Sequence, residues 1–154
     1  MVEQPQELVA VTLGHADPAD EAAPISVIVV DDDDSVRAAL VTLLDHHGGF
    51  RVVAEATDGA YAPELVGELR PELVLIDVRM PLVGGIDALE LIRQVDLDVH
   101  IVMLSAYSDG ALVADALAAG ASDYLVKGCP AEQLFSTLAQ ARGGGRPSRR
   151  EPDA

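Results

Sequence analysis

Leu73-Val74-Leu75-Ile76-Asp77 runs four apolar residues straight into one carboxylate, and the chain then turns through Val78-Arg79-Met80-Pro81-Leu82-Val83-Gly84-Gly85. A short continuous apolar run, entered from Arg70-Pro71 and left through Pro and Gly, reads as a strand buried on both faces. Asp77 then stands where that strand leaves the core, at the rim of a sheet. In open α/β sheets ligands bind at that rim. The plainer reading is an Asp that caps the following turn.

The same pattern recurs on either side. Ile25 to Val30 reads as a first strand and runs into Asp31-Asp32-Asp33-Asp34-Ser35. Asp34 or Ser35 can cap the next helix, and acidic residues suit its positive end. Val36, Leu40, Leu43 and Leu44 keep helical spacing until His46-His47-Gly48-Gly49. Arg51 to Ala56 reads as a second strand, Thr57-Asp58-Gly59 as a turn, and Ala60 to Arg70 as a helix with Pro63 in its first turn. Ile86, Leu89, Leu91 and Ile92 mark a third helix. His100 to Leu104 is a fourth strand ending at Ser105-Ala106. Ser108 to Ala119 is an Ala-rich helix closed by Gly120. Asp123 to Val126 is a fifth strand ending at Lys127-Gly128, and Pro130 opens a last helix through about Ala141. This alternation predicts a flavodoxin-like α/β fold: a five-stranded parallel sheet in the order 2-1-3-4-5 with helices on both faces.

Composition agrees with that class. The 154 residues are 49% hydrophobic but only 3% aromatic, so the core is built from Val, Leu, Ile and Ala. A net charge of -16 argues against non-specific nucleic-acid binding by the domain surface, and it is compatible with a divalent cation. Cys129 is the only cysteine, which leaves no disulfide framework and no cysteine zinc site and fits a reducing compartment. No stretch is long enough to span a bilayer, and the N-terminus lacks the basic region of a signal peptide. The expectation is a cytoplasmic protein. Residues 1–24 read as an acidic flexible tail, 25–141 as the folded domain, and 142–154 as a flexible basic tail or linker.

Parallel strands bring their C-terminal ends to one edge. Those ends read Asp31-Asp32, Asp77, Ser105 and Lys127. With the first and third strands adjacent, three carboxylates crowd together, and a bound divalent cation relieves their repulsion. Oxygen-only ligands select a hard ion, Mg²⁺ or Ca²⁺. Lys127, the only lysine of the chain, can reach across to a carboxylate or a phosphate oxygen; alternatively it snorkels from a strand end. Ser105 could donate to an added phosphoryl oxygen. Asp33 and Asp34 read as a solvated, helix-capping pair. Other chemistries fit poorly. No Gly-x-Gly-x-x-Gly, Gly-x-x-x-x-Gly-Lys or Gly-x-Ser-x-Gly motif occurs. His15, His46, His47 and His100 fall away from the acidic edge. The second Asp that an aspartate-based phosphohydrolase usually wants is replaced by Arg79.

From about Ile25 to Ala141 the chain resembles the receiver domain of bacterial two-component response regulators. The resemblance rests on Val27-Ile28-Val29-Val30-Asp31-Asp32, on Leu75-Ile76-Asp77-Val78-Arg79-Met80-Pro81 with Gly85, on Val102-Met103-Leu104-Ser105-Ala106, and on Gly120-Ala121-Ser122-Asp123-Tyr124-Leu125-Val126-Lys127. It implies that Asp77 accepts a phosphoryl group from a sensor histidine kinase. Asp31 and Asp32 would position Mg²⁺ with Asp77, and the backbone carbonyl of Arg79 would be a further ligand. Lys127 would contact the phosphoryl group, and Ser105 and Tyr124 would form the switch. Arg79 and Tyr107 match positions that tune the lifetime of the phosphoryl group. The switched surface would be the fourth helix, fifth strand and fifth helix, offered to a downstream effector or a second copy. Val53-Ala54-Glu55-Ala56 with Asp58-Gly59, and Gly128 after the lysine, resemble the subfamily that joins a receiver to a C-terminal helix-turn-helix, which points to transcriptional control. Only about a dozen residues follow the last helix here, so direct nucleic-acid binding by this chain is not expected. Two alternatives stand beside this: a pseudo-receiver that binds partners without phosphorylation, and a hydrolase of free phosphate esters.

Overall fold

A computed structural model describes residues 23–106 and 110–143. Five parallel strands form one sheet in the order β2-β1-β3-β4-β5. The strands are β1 (Ile25–Val30), β2 (Phe50–Ala56), β3 (Leu73–Asp77), β4 (His100–Ser105) and β5 (Asp123–Val126). The helices are α1 (Asp34–His47), α2 (Ala62–Leu69), α3 (Gly85–Val95), α4 (Gly110–Ala119) and α5 (Ala131–Gly143). The expected flavodoxin-like architecture is the observed one. Residues 1–22, Tyr107, the expected first turn of α4 at Ser108, and 144–154 lie outside the described residues.

Alternation along the strands divides the core in two. Ile28, Val30, Val74, Ile76, Ile101 and Met103 face Val66, Leu89, Ile92 and Ala116 from α2, α3 and α4. Val27, Val29, Leu73, Leu75, Val102 and Leu104 face Leu40, Leu44, Leu134 and Leu138 from α1 and α5. Because both faces are covered, β3 is buried at every residue, which is why it reads as an unbroken apolar run. Each such Val, Leu or Ile stabilises the fold by roughly 1.5–3 kcal/mol.

Several boundaries differ from the sequence expectation, each for a local reason. The cap of α1 is Asp33, not Asp34 or Ser35. Its backbone is extended, and its side chain accepts from the Ser35 and Val36 N–H groups. Asp34 instead pairs with Arg37 at 2.7 Å. The helix expected over 60–70 is split. Asp58 caps a 3-10 turn at Gly59–Tyr61, and α2 proper is Ala62–Leu69, stopped where Arg70 adopts a left-handed φ of 49°. The strand β2 begins one residue early, at Phe50. The C-terminus of α4 closes as expected on Gly120, at φ 112°. Gly120 N–H bonds the Leu117 carbonyl at 3.1 Å and Ala121 N–H bonds the Ala116 carbonyl at 2.9 Å, the paired bonds of a Schellman motif. The last helix runs on to Gly143, so Arg142 is helical. Its guanidinium bridges Glu72 at 2.6 Å and the Ala23 carbonyl at 2.6 Å, tying the end of α5 to the chain just before β1.

The start of α3 is pressed against the end of β3. Gly85 N–H donates to the Val78 carbonyl at 2.8 Å. A Cβ at Gly85 would collide with the Asp77 carbonyl and come within 2.9 Å of Val78 Cα and Met103 Cε. Gly85→Ala is therefore expected to destabilise the fold by roughly 1–3 kcal/mol in urea unfolding. A cost below about 0.5 kcal/mol would show that α3 can back away freely.

Candidate functional site

Sheet register places the site. Val30 of β1 lies opposite Ile76 of β3, so Asp31 and Asp77 leave the sheet on the same rung. Asp77 pairs in register with Leu104, and Ser105 with Val126, so Ser105 and Lys127 belong to the same edge. Three backbone bonds hold these ends: Asp31 N–H to the Ala56 carbonyl at 3.0 Å, Val78 N–H to Leu104 at 2.8 Å, and Lys127 N–H to Ser105 at 2.7 Å.

Carboxylate oxygens of Asp31, Asp32 and Asp77 lie within 4.8 Å of one another. Asp31 is wholly buried and Asp77 is 5% exposed, while Asp32 is on the surface. The Lys127 ammonium stands 3.0 Å from Asp31 Oδ2 and 3.4 Å from Asp77 Oδ2. Asp31 Oδ2 is buried without an aligned hydrogen-bond donor among the described residues, so the ammonium compensates it by charge. Three carboxylates against one ammonium leave a formal charge of -2. This donor set, all oxygen and in negative surplus, fits a hard divalent cation.

The electrostatics follow from that crowding. Burial, reinforced by the charge of Asp31, raises the pKa of Asp77 above its ordinary value; Lys127 and the Arg79 N–H oppose this but do not cancel it. Burial works against the Lys127 ammonium. Its contact with Asp31 and the charges of both carboxylates outweigh that and hold its pKa above the usual lysine range.

The structure therefore gathers Asp31, Asp32, Asp77 and Lys127 at one point. Ser105 is buried at the neighbouring strand end. Arg79 reaches the site through its backbone N–H, which donates to the Asp77 carboxylate. Tyr124 is not in the cluster: it sits on β5 opposite Met103, half-buried against the core under α4.

Sequence reasoning passed over Asp58 as a turn residue. It is 4% exposed, and its carboxylate accepts N–H groups from Ala60 at 2.9 Å, Leu82 at 3.0 Å and Val83 at 2.9 Å. Burial alone would raise its pKa, but these three donors bring it below the ordinary Asp value. Asp58 thereby pins the loop that follows Asp77. The one available signal was the Asp-Gly pair, since Gly59 is pressed so closely on the Val83 carbonyl that a Cβ would clash.

A doubly wound parallel sheet whose switch point gathers carboxylates and one ammonium defines an α/β domain with a charged rim where such folds bind ligands. Comparison with known proteins sharpens this. The family model for the response regulator receiver domain matches residues 27–139. The Bacillus subtilis transcriptional regulatory protein LnrK is 38% identical over 121 residues, 79% of this chain and 55% of LnrK. The chemotaxis protein CheY of Bacillus subtilis is 39% identical over 112 residues, 73% of this chain and 92% of CheY. The receiver domain of the response regulator NarL from Mycobacterium tuberculosis superposes with a TM-score of 0.73 at 33% identity, covering 78% of this chain and 98% of that one. The chain belongs to the response regulator receiver domain family. It spans about half the length of LnrK, the first of these relatives. Among the described residues no helix is long and apolar enough to cross a membrane.

The raised pKa of Asp77 carries a stability consequence. Between the unfolded and the folded pKa the native state holds more protons than the unfolded state, so stability falls as pH rises through that window. Above it the ionised Asp77 is a net burden on the metal-free protein. Asp77→Asn is expected to raise the metal-free Tm at neutral pH, with the gain vanishing below the unfolded pKa of about 4. A scan showing the variant less stable at neutral pH would overturn this account of the site.

Proposed function

We propose that the chain is a phosphorylation-activated receiver in which Asp77 takes a phosphoryl group from a phosphohistidine of a sensor kinase, with the working unit running from Ile25 through α5. The observation that carries this reading is the Asp31–Asp32–Asp77 cluster braced by Lys127. An Asp77 carboxylate oxygen forms the new P–O bond as the P–N bond to histidine breaks and the electron pair returns to the imidazole. Lys127, already 3.4 Å from Asp77, donates to a phosphoryl oxygen. Ser105, buried at the adjoining strand end, donates to another. Such transfer depends on positioning and charge neutralisation rather than on covalent help from the protein. Mg²⁺ held by Asp31, Asp32 and Asp77, with the Arg79 carbonyl as a further ligand, would supply the charge that lets an anion approach this acidic rim. The chain acts on itself by accepting and slowly losing the phosphoryl group.

The readout proposed is movement of Ser105 towards the phosphoryl group with inward turning of Tyr124, a two-state element biased by one charge change. The surface so altered is α4–β5–α5, where Leu117 is 48% exposed, and it would serve an effector or a second copy. A groove of about 270 Å³ between α1 and the start of α5, lined by Leu40, Leu43 and Leu134, opens beside Lys127 and offers a kinase helix apolar surface near Asp77. The similarity to LnrK, a transcriptional regulatory protein, supports an output in transcriptional control. A cytoplasmic location follows from pairing with the catalytic side of a sensor kinase.

Intact mass after incubation with acetyl phosphate tests the reading. A gain of one phosphoryl group that requires Mg²⁺ and is lost in Asp77→Asn is expected; an equal gain in that variant would sink the assignment. Independently, Tm should rise with Mg²⁺ by the amount corresponding to about 2.7 kcal/mol at a hundredfold excess over Kd. Asp32→Ala should remove most of that rise, and an unchanged rise would remove Asp32 from the site.

A further inference from the structure

Arg37, on the first turns of α1, engages three acceptors with one guanidinium. Nη1 donates to the Asp31 carbonyl at 2.8 Å, Nη2 to Asp34 Oδ1 at 2.7 Å, and Nε to Glu55 Oε1 at 3.1 Å. Its side chain is only 15% exposed. The fork thus joins the end of β1, the start of α1 and the strand β2. A planar guanidinium can meet several acceptors together, which a point-charge ammonium cannot do.

We propose that Arg37 is a positioning residue for the cation site: by holding the Asp31 carbonyl it fixes the Asp31–Asp32 peptide and aims the exposed Asp32 carboxylate at the cluster it shares with Asp31 and Asp77. This rests on the cation-site reading given above. Asp32 lies on the surface, so packing does not orient it. Its neighbours are orientated by hydrogen bonds. Asp31 N–H is held by the Ala56 carbonyl at 3.0 Å, and Asp33 N–H by Asp31 Oδ1 at 2.9 Å. The Asp31 carbonyl begins the peptide that leads into Asp32, and Arg37 is what grips it.

Two effects of removing Arg37 have opposite signs, which makes the proposal decidable. Loss of a positive charge within a Debye length of the cluster would tighten cation binding, by roughly two- to fivefold. Loss of the support behind a metal ligand weakens binding, by about 10- to 100-fold. A positioning role therefore predicts net weakening.

The experiment is Mg²⁺ titration of the full chain by calorimetry, comparing wild type, Arg37→Gln and Arg37→Lys, with the fold of each checked by circular dichroism without metal. Arg37→Gln is expected to bind about tenfold more weakly. Arg37→Lys keeps the charge but cannot span the three acceptors, so it too is expected to weaken. Tighter or unchanged binding in Arg37→Gln, or unchanged binding in Arg37→Lys, overturns the proposal while leaving the cation site standing. A wild-type chain that binds no Mg²⁺ overturns the cation-site reading and this proposal with it.

Discussion

Two buried carboxylates on adjacent strand ends share one ammonium, and the rest of the molecule is arranged around that shortage of positive charge. Asp31 and Asp77 leave β1 and β3 on the same rung, and Lys127 reaches both from the end of β5. Removing a carboxylate from water is costly unless it is paired or hydrogen-bonded. Here the pairing is incomplete: among the described residues Lys127 alone brings positive charge to the cluster, and the pKa of Asp77 stays raised. A site left in this condition stores affinity for positive charge, and the fold must be stable enough to carry it.

That stability comes from the two apolar layers and from polar ties placed away from the rim. The paired cores bury both faces of β1, β3 and β4, which hold the strand ends in register whatever the charge state between them. Arg93 shows the second device. Its guanidinium donates to the carbonyls of Val99 at 2.6 Å and Gly120 at 2.8 Å, and to those of Asp96 and Leu97, fastening the ends of α3 and α4 to the start of β4. Desolvation lowers its pKa, as expected for a cation satisfied by carbonyl groups inside the fold. Arg142 on Glu72 does similar work at the N-terminal rim of the sheet.

How much of this was legible in the sequence depends on the range of the interaction. The strands announced themselves because burial on both faces writes a continuous apolar run, as in Leu73 to Ile76. The rim cluster was legible because Asp31, Asp77, Ser105 and Lys127 each stand at the end of such a run, so their meeting at one edge followed from the parallel topology. What escaped are side chains whose partners are backbone groups far away along the chain. Asp58 bonds Leu82 and Val83, and Arg93 bonds Gly120; beyond the Asp58-Gly59 pair no local pattern points to these partners. Caps failed for a related reason. Four consecutive Asp residues offer equivalent candidates; the chain enters the helix after Asp33, whose extended backbone lets it cap, while Asp34 pairs with Arg37. The helix over 60–70 was misjudged because Asp58 draws the chain into a 3-10 turn before α2 can begin.

The charge balance also constrains how the proposed phosphorylation and cation binding relate. The cluster carries a formal -2 before any reaction, from three carboxylates and one ammonium. Replacing the Asp77 carboxylate by an acyl phosphate adds roughly one further negative charge at neutral pH, judged from the charge of other phosphorylated side chains. Repulsion among anions this close opposes that step, and a bound divalent cation offsets it. Since binding free energies are reciprocal, whatever cation binding contributes to holding the phosphoryl group, the phosphoryl group must return as tighter cation binding. The phosphorylated site would therefore hold its metal more firmly than the unmodified one. Contacts that order the acidic residues, such as that of Arg37 on the Asp31 carbonyl, would act on both equilibria at once.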